Sequence, residues 1–336
     1  MSKISQNQVD KDVNNIAVEL TIIIPHYNTP DYLRALLDTI PKEESIQVIV
    51  IDDRSELEIE KYQALTNENR YRHITFEKNL SSKKGAGACR NIGLKNATGK
   101  WILFADADDY FVEGFYEKLK KYLSCDKDVI FFPCTSVELE TGTLANRHEG
   151  MNQILSDFLI LPSRENELKL RYKIPTPWSK LIYKSVITEN DIFFDETLVS
   201  NDVMFSVKMG YYMKTFDVSE DEIYCVTNNK GSLTKVLSEE NYNIRLEVFI
   251  DRCEFLKERL SKYDFKTLDF NGKSYIMLAF KYKLGIKRVI KTICRFRQSR
   301  ISVIGRVKNL NPANIIRQVK RLYKLHKGEK KYFVYK

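Results

Sequence analysis

Trp101 to Asp109 read WILFADADD. Four large apolar residues in succession leave no polar face for water, which describes a strand covered on both sides. Strands of that kind belong to parallel sheets lying between helices. The run then stops in acids, Asp106, Asp108 and Asp109. Ligands of open parallel sheets bind outside the carboxyl ends of the strands, so these acids fall where a ligand is expected. Asp106 and Asp108 are two residues apart and, in extended backbone, leave one face together, while Asp109 leaves the other.

The same pattern recurs on either side. Ala17–Pro25 (AVELTIIIP) and Ile46–Asp53 (IQVIVIDD) are further apolar runs, the first ending in Pro25-His26-Tyr27-Asn28 and the second in Asp52-Asp53, and Ile74–Phe76 begins a weaker third. Between them, Asp31–Ile40 has apolar residues at 33, 36, 37 and 40, a helical period. Ala86–Asn96 reads as a helix opened by Gly85-Ala86-Gly87 and closed before Gly99. A helix over Phe115–Leu123 and an apolar run over Asp128–Phe132 follow. Strands alternating with helices give an α/β class with a mainly parallel sheet.

After Pro133 the alternation breaks. Helical patterns at Ile154–Leu161 and Val203–Met213 flank a strand-like Glu222–Thr227, and Glu239–Tyr263 is an amphipathic helix with Val248, Cys253, Leu256 and Leu260 near one face. The expected division is a polar segment at 1–16 and a main α/β unit at 17–235 (halves 17–133 and 134–235). A mostly helical basic region at 236–336 completes it, and the second half of the chain, after Pro133, is expected to pack onto the first rather than form a flexible separate body.

With 336 residues, 43% of them apolar and 29% charged, the composition is that of a globular chain. No run approaches the ~18 apolar residues of a membrane span. The polar first fifteen residues lack the apolar core of a signal peptide. The six cysteines show no C-x-x-C pair, and with four histidines they form no zinc pattern. A reduced, cytosolic protein is expected. The net charge of +9 conceals an asymmetry: residues 281–336 hold 18 Lys and Arg against one acid, Glu329, which leaves 1–280 at −8. A basic tail on an acidic body points to a polyanionic partner surface.

No G-x-G-x-x-G follows the first strand and no G-x-x-x-x-G-K-[ST] occurs, so dehydrogenase and P-loop readings fail. Carboxylates gathered at one sheet edge repel each other unless a cation or hydrogen bonds compensate. Mg²⁺ and Mn²⁺ accept one or two carboxylates together with substrate phosphates and water. Bound there, such an ion would stabilise a departing diphosphate. A capped turn at a strand end is the alternative reading of DADD.

Four motifs in order, PHYN, IDDRS, GAGACRNIGL and FADADD, resemble the inverting family 2 glycosyltransferases with the GT-A nucleotide-diphospho-sugar fold. A second set between Trp178 and Thr234 (WSKLIYKSVITENDIFFDE, SNDVMFSVK, GSLT) resembles the branch acting in bacterial surface-polysaccharide synthesis. The resemblance implies that Pro25, Tyr27, Asn28, Asp53, Arg90, Asp106, Ala107, Asp108 and Lys230 bind the nucleotide-sugar, with Tyr27 against the base and Asp53 on its edge or the ribose. It implies Mn²⁺ or Mg²⁺ on Asp108 and Asp106, Asp202 as catalytic base and Trp178 as an acceptor platform, with UDP as the usual carrier. The family often has Glu-Asp where this chain has Asn201-Asp202, and arginine where it has Lys230. A helix-capping carboxylate is the plain alternative for Asp202.

In the tail, Asn311-Pro312 opens a helical pattern with Ile315, Ile316, Val319, Leu322 and Tyr323 to one side and cations flanking them. Lys287–Arg297 is built similarly. Such helices suit an anionic membrane interface, which fits an undecaprenyl-linked acceptor. Nucleic acid would explain the charge but not the apolar stripe, and no nucleic-acid-binding signature accompanies it. The competing class is a non-catalytic membrane- or nucleic-acid-associated module on a degenerate sugar-nucleotide fold. A nucleotidyltransferase lacks its phosphate loop here.

Overall fold

The computed structural model describes residues 17–228 and 238–303. The first half runs β1 (Leu20–His26), α1 (Pro30–Leu37), β2 (Ile46–Asp52), α2 (Ile59–Thr66), β3 (Ile74–Lys78), α3 (Ala86–Asn96), β4 (Trp101–Phe104), β5 (Tyr110–Phe111), α4 (Phe115–Leu123) and β6 (Val129–Phe131). It continues through β7 (Cys134–Glu138), α5 (Glu149–Ile160), α6 (Arg164–Tyr172), β8 (Lys180–Tyr183), α7 (Lys184–Thr188), α8 (Val203–Tyr212), β9 (Phe216–Val218) and β10 (Tyr224–Asn228). Four helices close the described chain: α9 (Glu239–Arg259), α10 (Lys262–Leu268), α11 (Lys273–Lys281) and α12 (Gly285–Gln298).

Seven strands form one sheet in the order β3-β2-β1-β4-β8-β6-β9. The first four are mutually parallel, with Ile22 level with Val48 on one side and Leu103 on the other. β8 runs against both β4 and β6, and β9 lies parallel to β6. Strands β5, β10 and β7 make a second small sheet. Ile22 to Ile24 and Trp101 to Phe104 are all fully buried, as continuous apolar runs between two helical layers require. The chain leaves β1 to build β2 and β3 on one side and returns to place β4 on the other. That reversal opens a crevice outside the carboxyl ends of β1 and β4.

Two expectations are corrected. β4 ends at Phe104, and residues 106–109 form a turn closed by the Asp109 amide donating to the Asp106 carbonyl at 3.0 Å. The two-residue period of a strand therefore does not govern the DADD side chains. The long helix expected over 239–263 breaks at Leu260, because the Ser261 hydroxyl accepts from the Asp264 amide at 3.0 Å and caps a new helix, α10.

The terminal helices pack on the sheet unit through Leu168 and Tyr172 of α6, Val207 of α8, Leu256 of α9 and Leu268 of α10. Val289 and Phe296 of α12 are buried in a separate helical core, so part of the apolar stripe expected to face a membrane is spent on internal packing. Ile286 and Ile290 stay exposed beside Lys287 and Lys291. The second tail pattern, after Asn311, lies outside the described residues. No helix among the described residues is long and apolar enough to cross a membrane.

Candidate active site

At the carboxyl end of β1, Tyr27 is exposed, with Lys84 Nζ 5.2 Å from its ring centroid. Pro25 is half-buried beside it. Asn28 has φ of 56°, and its side-chain oxygen accepts from the Glu56 and Leu57 amides at 2.8 and 2.9 Å, fastening the loop after β2. Asp52 points inward. It accepts from His26 Nδ1 at 2.9 Å and from the Ser55 hydroxyl and amide, bonds that outweigh burial and hold its carboxyl below the usual range. Asp53 is buried and accepts from Asn79 Nδ2 and from the Gly85 amide, each at 2.7 Å.

That last bond starts the GAGACRN segment. Gly85 has φ of +118°, which an L side chain rarely adopts. Gly87 touches the loop before α8 so closely that an added Cβ would stand 2.2 Å from the Asp195 carbonyl oxygen. Asn91 clamps the same loop, its amide nitrogen donating to the Phe194 carbonyl at 3.0 Å and its oxygen accepting from the Phe194 amide at 2.8 Å. The buried Arg90 then joins two distant parts of the chain, donating from Nη1 to Asn201 Oδ1 at 3.0 Å and from Nη2 to Asp106 Oδ1 at 2.5 Å. Replacing Gly87 by alanine should force these backbones apart and cost about 1–3 kcal/mol. Thermal unfolding reads the loss as a lowered Tm.

The turn after β4 sorts its acids by environment. Asp109 is buried and accepts from the Tyr224 hydroxyl at 2.9 Å and the Thr227 amide at 2.7 Å. Burial first, then the charges of Asp106 and Asp108, push its carboxyl well up. The Tyr224 hydroxyl also accepts from the Asp106 amide, and Thr227 Oγ1 donates to the Asp108 carbonyl, so β10 fixes the turn from below. Asp106 and Asp108 remain half-exposed with buried Ala107 between them. Burial and then the Asp106 charge raise the Asp108 carboxyl, partly offset by Arg147. No group of three or more His, Cys, Asp or Glu side chains suited to a metal occurs among the described residues. Two half-exposed carboxylates that repel each other nevertheless fit an ion whose other ligands are phosphate oxygens and water.

Asp202 immediately precedes α8, yet its side chain makes no capping hydrogen bond there. Burial raises its carboxyl. The Arg90 and Lys180 charges oppose that rise and the Asp106 charge adds to it. The carboxylate thus shares an electrostatic neighbourhood with Arg90 and Asp106, although 96 residues separate the two acids in sequence. Lys180 is fully buried, donating to the Ile174 carbonyl at 2.8 Å and to Ser206 Oγ at 3.4 Å. Desolvation lowers its pKa to about 7, against a smaller raising effect of Asp202.

A buried lysine with a depressed pKa binds fewer protons when folded than when unfolded. Its contribution to stability is therefore lost as pH falls from the ordinary lysine value of ~10.4 towards about 7. The stability of a Lys180→Met variant relative to the native chain should consequently rise as pH falls across that window. Denaturant unfolding at several pH values measures it; a constant difference would show that Lys180 stays protonated in the folded chain, with its pKa unshifted.

The structure brings together Tyr27, Asp53, Arg90, Asp106, Asp108 and Asp202 at one end of the sheet. Trp178 is only 6% exposed and stacks on Tyr224 at 5.7 Å, behind the DADD turn, which leaves little indole for a sugar. Lys230 lies outside the described residues. Asn79, Tyr224 and Thr227, outside the quoted motifs, and Asn91 and Lys180, inside them but given no role there, hold the site in place. Buried polar residues inside apolar runs, such as Lys180 ahead of Leu181-Ile182, were the available signal.

Residues 21–186 match the family described as glycosyl transferase family 2. The chain is similar to the uncharacterized glycosyltransferase YibD of Escherichia coli K12, 26% identical over 261 residues, covering 74% of this chain and 72% of that one. It is also similar to the poly(ribitol-phosphate) β-N-acetylglucosaminyltransferase TarS of Staphylococcus aureus Mu50, 25% identical over 217 residues. That match covers 62% of this chain but only 35% of TarS. The structure of S. aureus TarS residues 1–349 with UDP-GlcNAc superposes with a TM-score of 0.64 at 20% identity, covering 94% of each chain.

Proposed function

Given that the chain is a family 2 glycosyltransferase of the GT-A fold, we propose that it moves a sugar from a UDP-sugar to a glycan or lipid-linked glycan acceptor. The reaction would invert the anomeric centre and serve bacterial cell-surface polysaccharide synthesis. One observation carries this reading: Arg90 bonds Asp106 and Asn201 at once, holding the acids of the sheet rim against the residue next to Asp202. TarS, a relative named as a poly(ribitol-phosphate) β-N-acetylglucosaminyltransferase, has been seen with UDP-GlcNAc, which supports the donor class.

In this mechanism the Tyr27 ring offers a stacking face to the base. Asp53, with its carboxylate fixed by Asn79 and Gly85, retains lone pairs for a base N–H or ribose hydroxyl. Asp106 and Asp108 would hold Mn²⁺ or Mg²⁺, which when bound supplies Lewis-acid stabilisation of the leaving diphosphate. Arg90 orients Asp106 and keeps a positive charge beside the phosphates. Asp202 takes the proton of the acceptor hydroxyl as it attacks from the face opposite the diphosphate. A positioned carboxylate is worth ~10²–10⁴-fold in such a step. Asn201, replacing an acid common in the family, accepts from Arg90 without adding a fourth negative charge near Asp106, Asp108 and Asp202.

We place the reaction at the cytoplasmic face of the plasma membrane. Six free cysteines suit a reducing compartment, and the exposed Ile286, Ile290, Lys287 and Lys291 of α12 suit an anionic lipid surface. The test is a panel of nucleotide-sugars with Mn²⁺, read as donor hydrolysis or transfer. Turnover of a UDP-sugar supports the assignment. Turnover of GDP- or dTDP-sugars alone would replace the carrier, and inertness towards every donor would remove the enzymatic reading.

A further inference from the structure

A pocket of about 370 Å³ opens between α9, the α10–α11 connection and α11, and shares no residue with the cleft. Arg252 lines it. The guanidinium carbon lies 4.3 Å from the Phe270 ring centroid and 5.1 Å from that of Phe249, and Nε is shut from solvent with no hydrogen-bond partner. Among the described residues no carboxylate pairs with Arg252. Lys273 and Ser274, at the start of α11, line the same pocket. Its one acid, Asp269, acts on Lys173, a second cation resting against Phe270 at 5.7 Å. A cation half-removed from water without an acid beside it is costly, and burial lowers the Arg252 pKa accordingly.

We propose that this pocket is a second ligand site, for a phosphoester oxyanion, held by the Arg252 fork with Lys273 and Ser274. Guanidinium binds phosphate oxygens in pairs, and the volume admits the phosphate together with the group it esterifies. The site lies in the helical region beyond residues 21–186 and is independent of the reading of the cleft.

The experiment is calorimetric titration of the full chain with inorganic phosphate in EDTA, so that no metal assists the cleft. Saturable binding weakened at least about tenfold in Arg252→Met, with an unchanged Tm, is the expected result. Arg252→Lys, which keeps the charge without the fork, should fall between the two and replaces the methionine variant should that one not fold. A soluble glycerol-phosphate oligomer competing with phosphate marks a phosphodiester ligand. Arg252-dependent binding to phosphatidylglycerol vesicles, displaced by phosphate, marks a lipid headgroup. Absence of saturable phosphate binding, or binding that Arg252→Met leaves unchanged, overturns the proposal.

Discussion

Asp202→Asn should lower sugar transfer by about 10²–10⁴-fold while leaving the fold and the affinity for the nucleotide unchanged. The amide occupies the carboxylate's volume but cannot take a proton from the acceptor. Because Asp202 does not cap α8, removing its charge costs no helix-terminal hydrogen bond, and unfolding should scarcely register the change. The native pH profile supplies a second readout. A base acts only when ionised, and burial raises this carboxyl above its ordinary range, with Arg90 opposing. The acidic limb of kcat should therefore lie above the usual aspartate pKa of ~3.9, with activity falling as pH drops through it. Equal turnover in native and Asp202→Asn enzyme would remove Asp202 from the chemistry.

Asp108→Ala is the second large effect. The substitution removes a carboxylate whose pKa is raised by burial and by the Asp106 charge, so the folded chain should be no less stable and could gain slightly. Transfer should nevertheless fall by about 10²-fold or more, as expected for loss of a group that stabilises developing charge. Activity and stability thus move apart. Asp109→Ala provides the contrast, since Asp109 holds Tyr224 and Thr227 from a buried position. Its loss should cost stability of ~1–3 kcal/mol for the unpaired buried groups. Unfolding curves and turnover on the same three proteins separate the two roles.

Much of this is legible in the sequence. Continuous apolar runs ending in polar clusters marked three of the four parallel strands, β1, β2 and β4, because burial on both faces leaves a plain signature. β3, partly exposed at the sheet edge, left only a weak trace at Ile74–Phe76. The helix over Ala86–Asn96 was legible to the residue, being bounded by glycines at both ends. The acids of the rim were legible as a cluster, but their sorting was not. Asp109 turns inward because Tyr224, 115 residues later, donates to it, and no local pattern carries that information. The same holds for Asn91 and Phe194, 103 residues apart. Where a contact closes over a hundred residues, short-range periodicity is silent. The turn at 106–109 was misread for the opposite reason, since a strand's period was extended past the point where β4 stops.

The account rests on Asp106 and Asp108 receiving a nucleoside diphosphate through a divalent ion in the cleft that also contains Asp202. Calorimetric titration of UDP into the native chain, with Mn²⁺ and again with EDTA, tests this most directly, with Asp108→Ala alongside. Binding that requires the metal and disappears in Asp108→Ala is the predicted result. UDP binding of equal strength in EDTA or in the variant would contradict it.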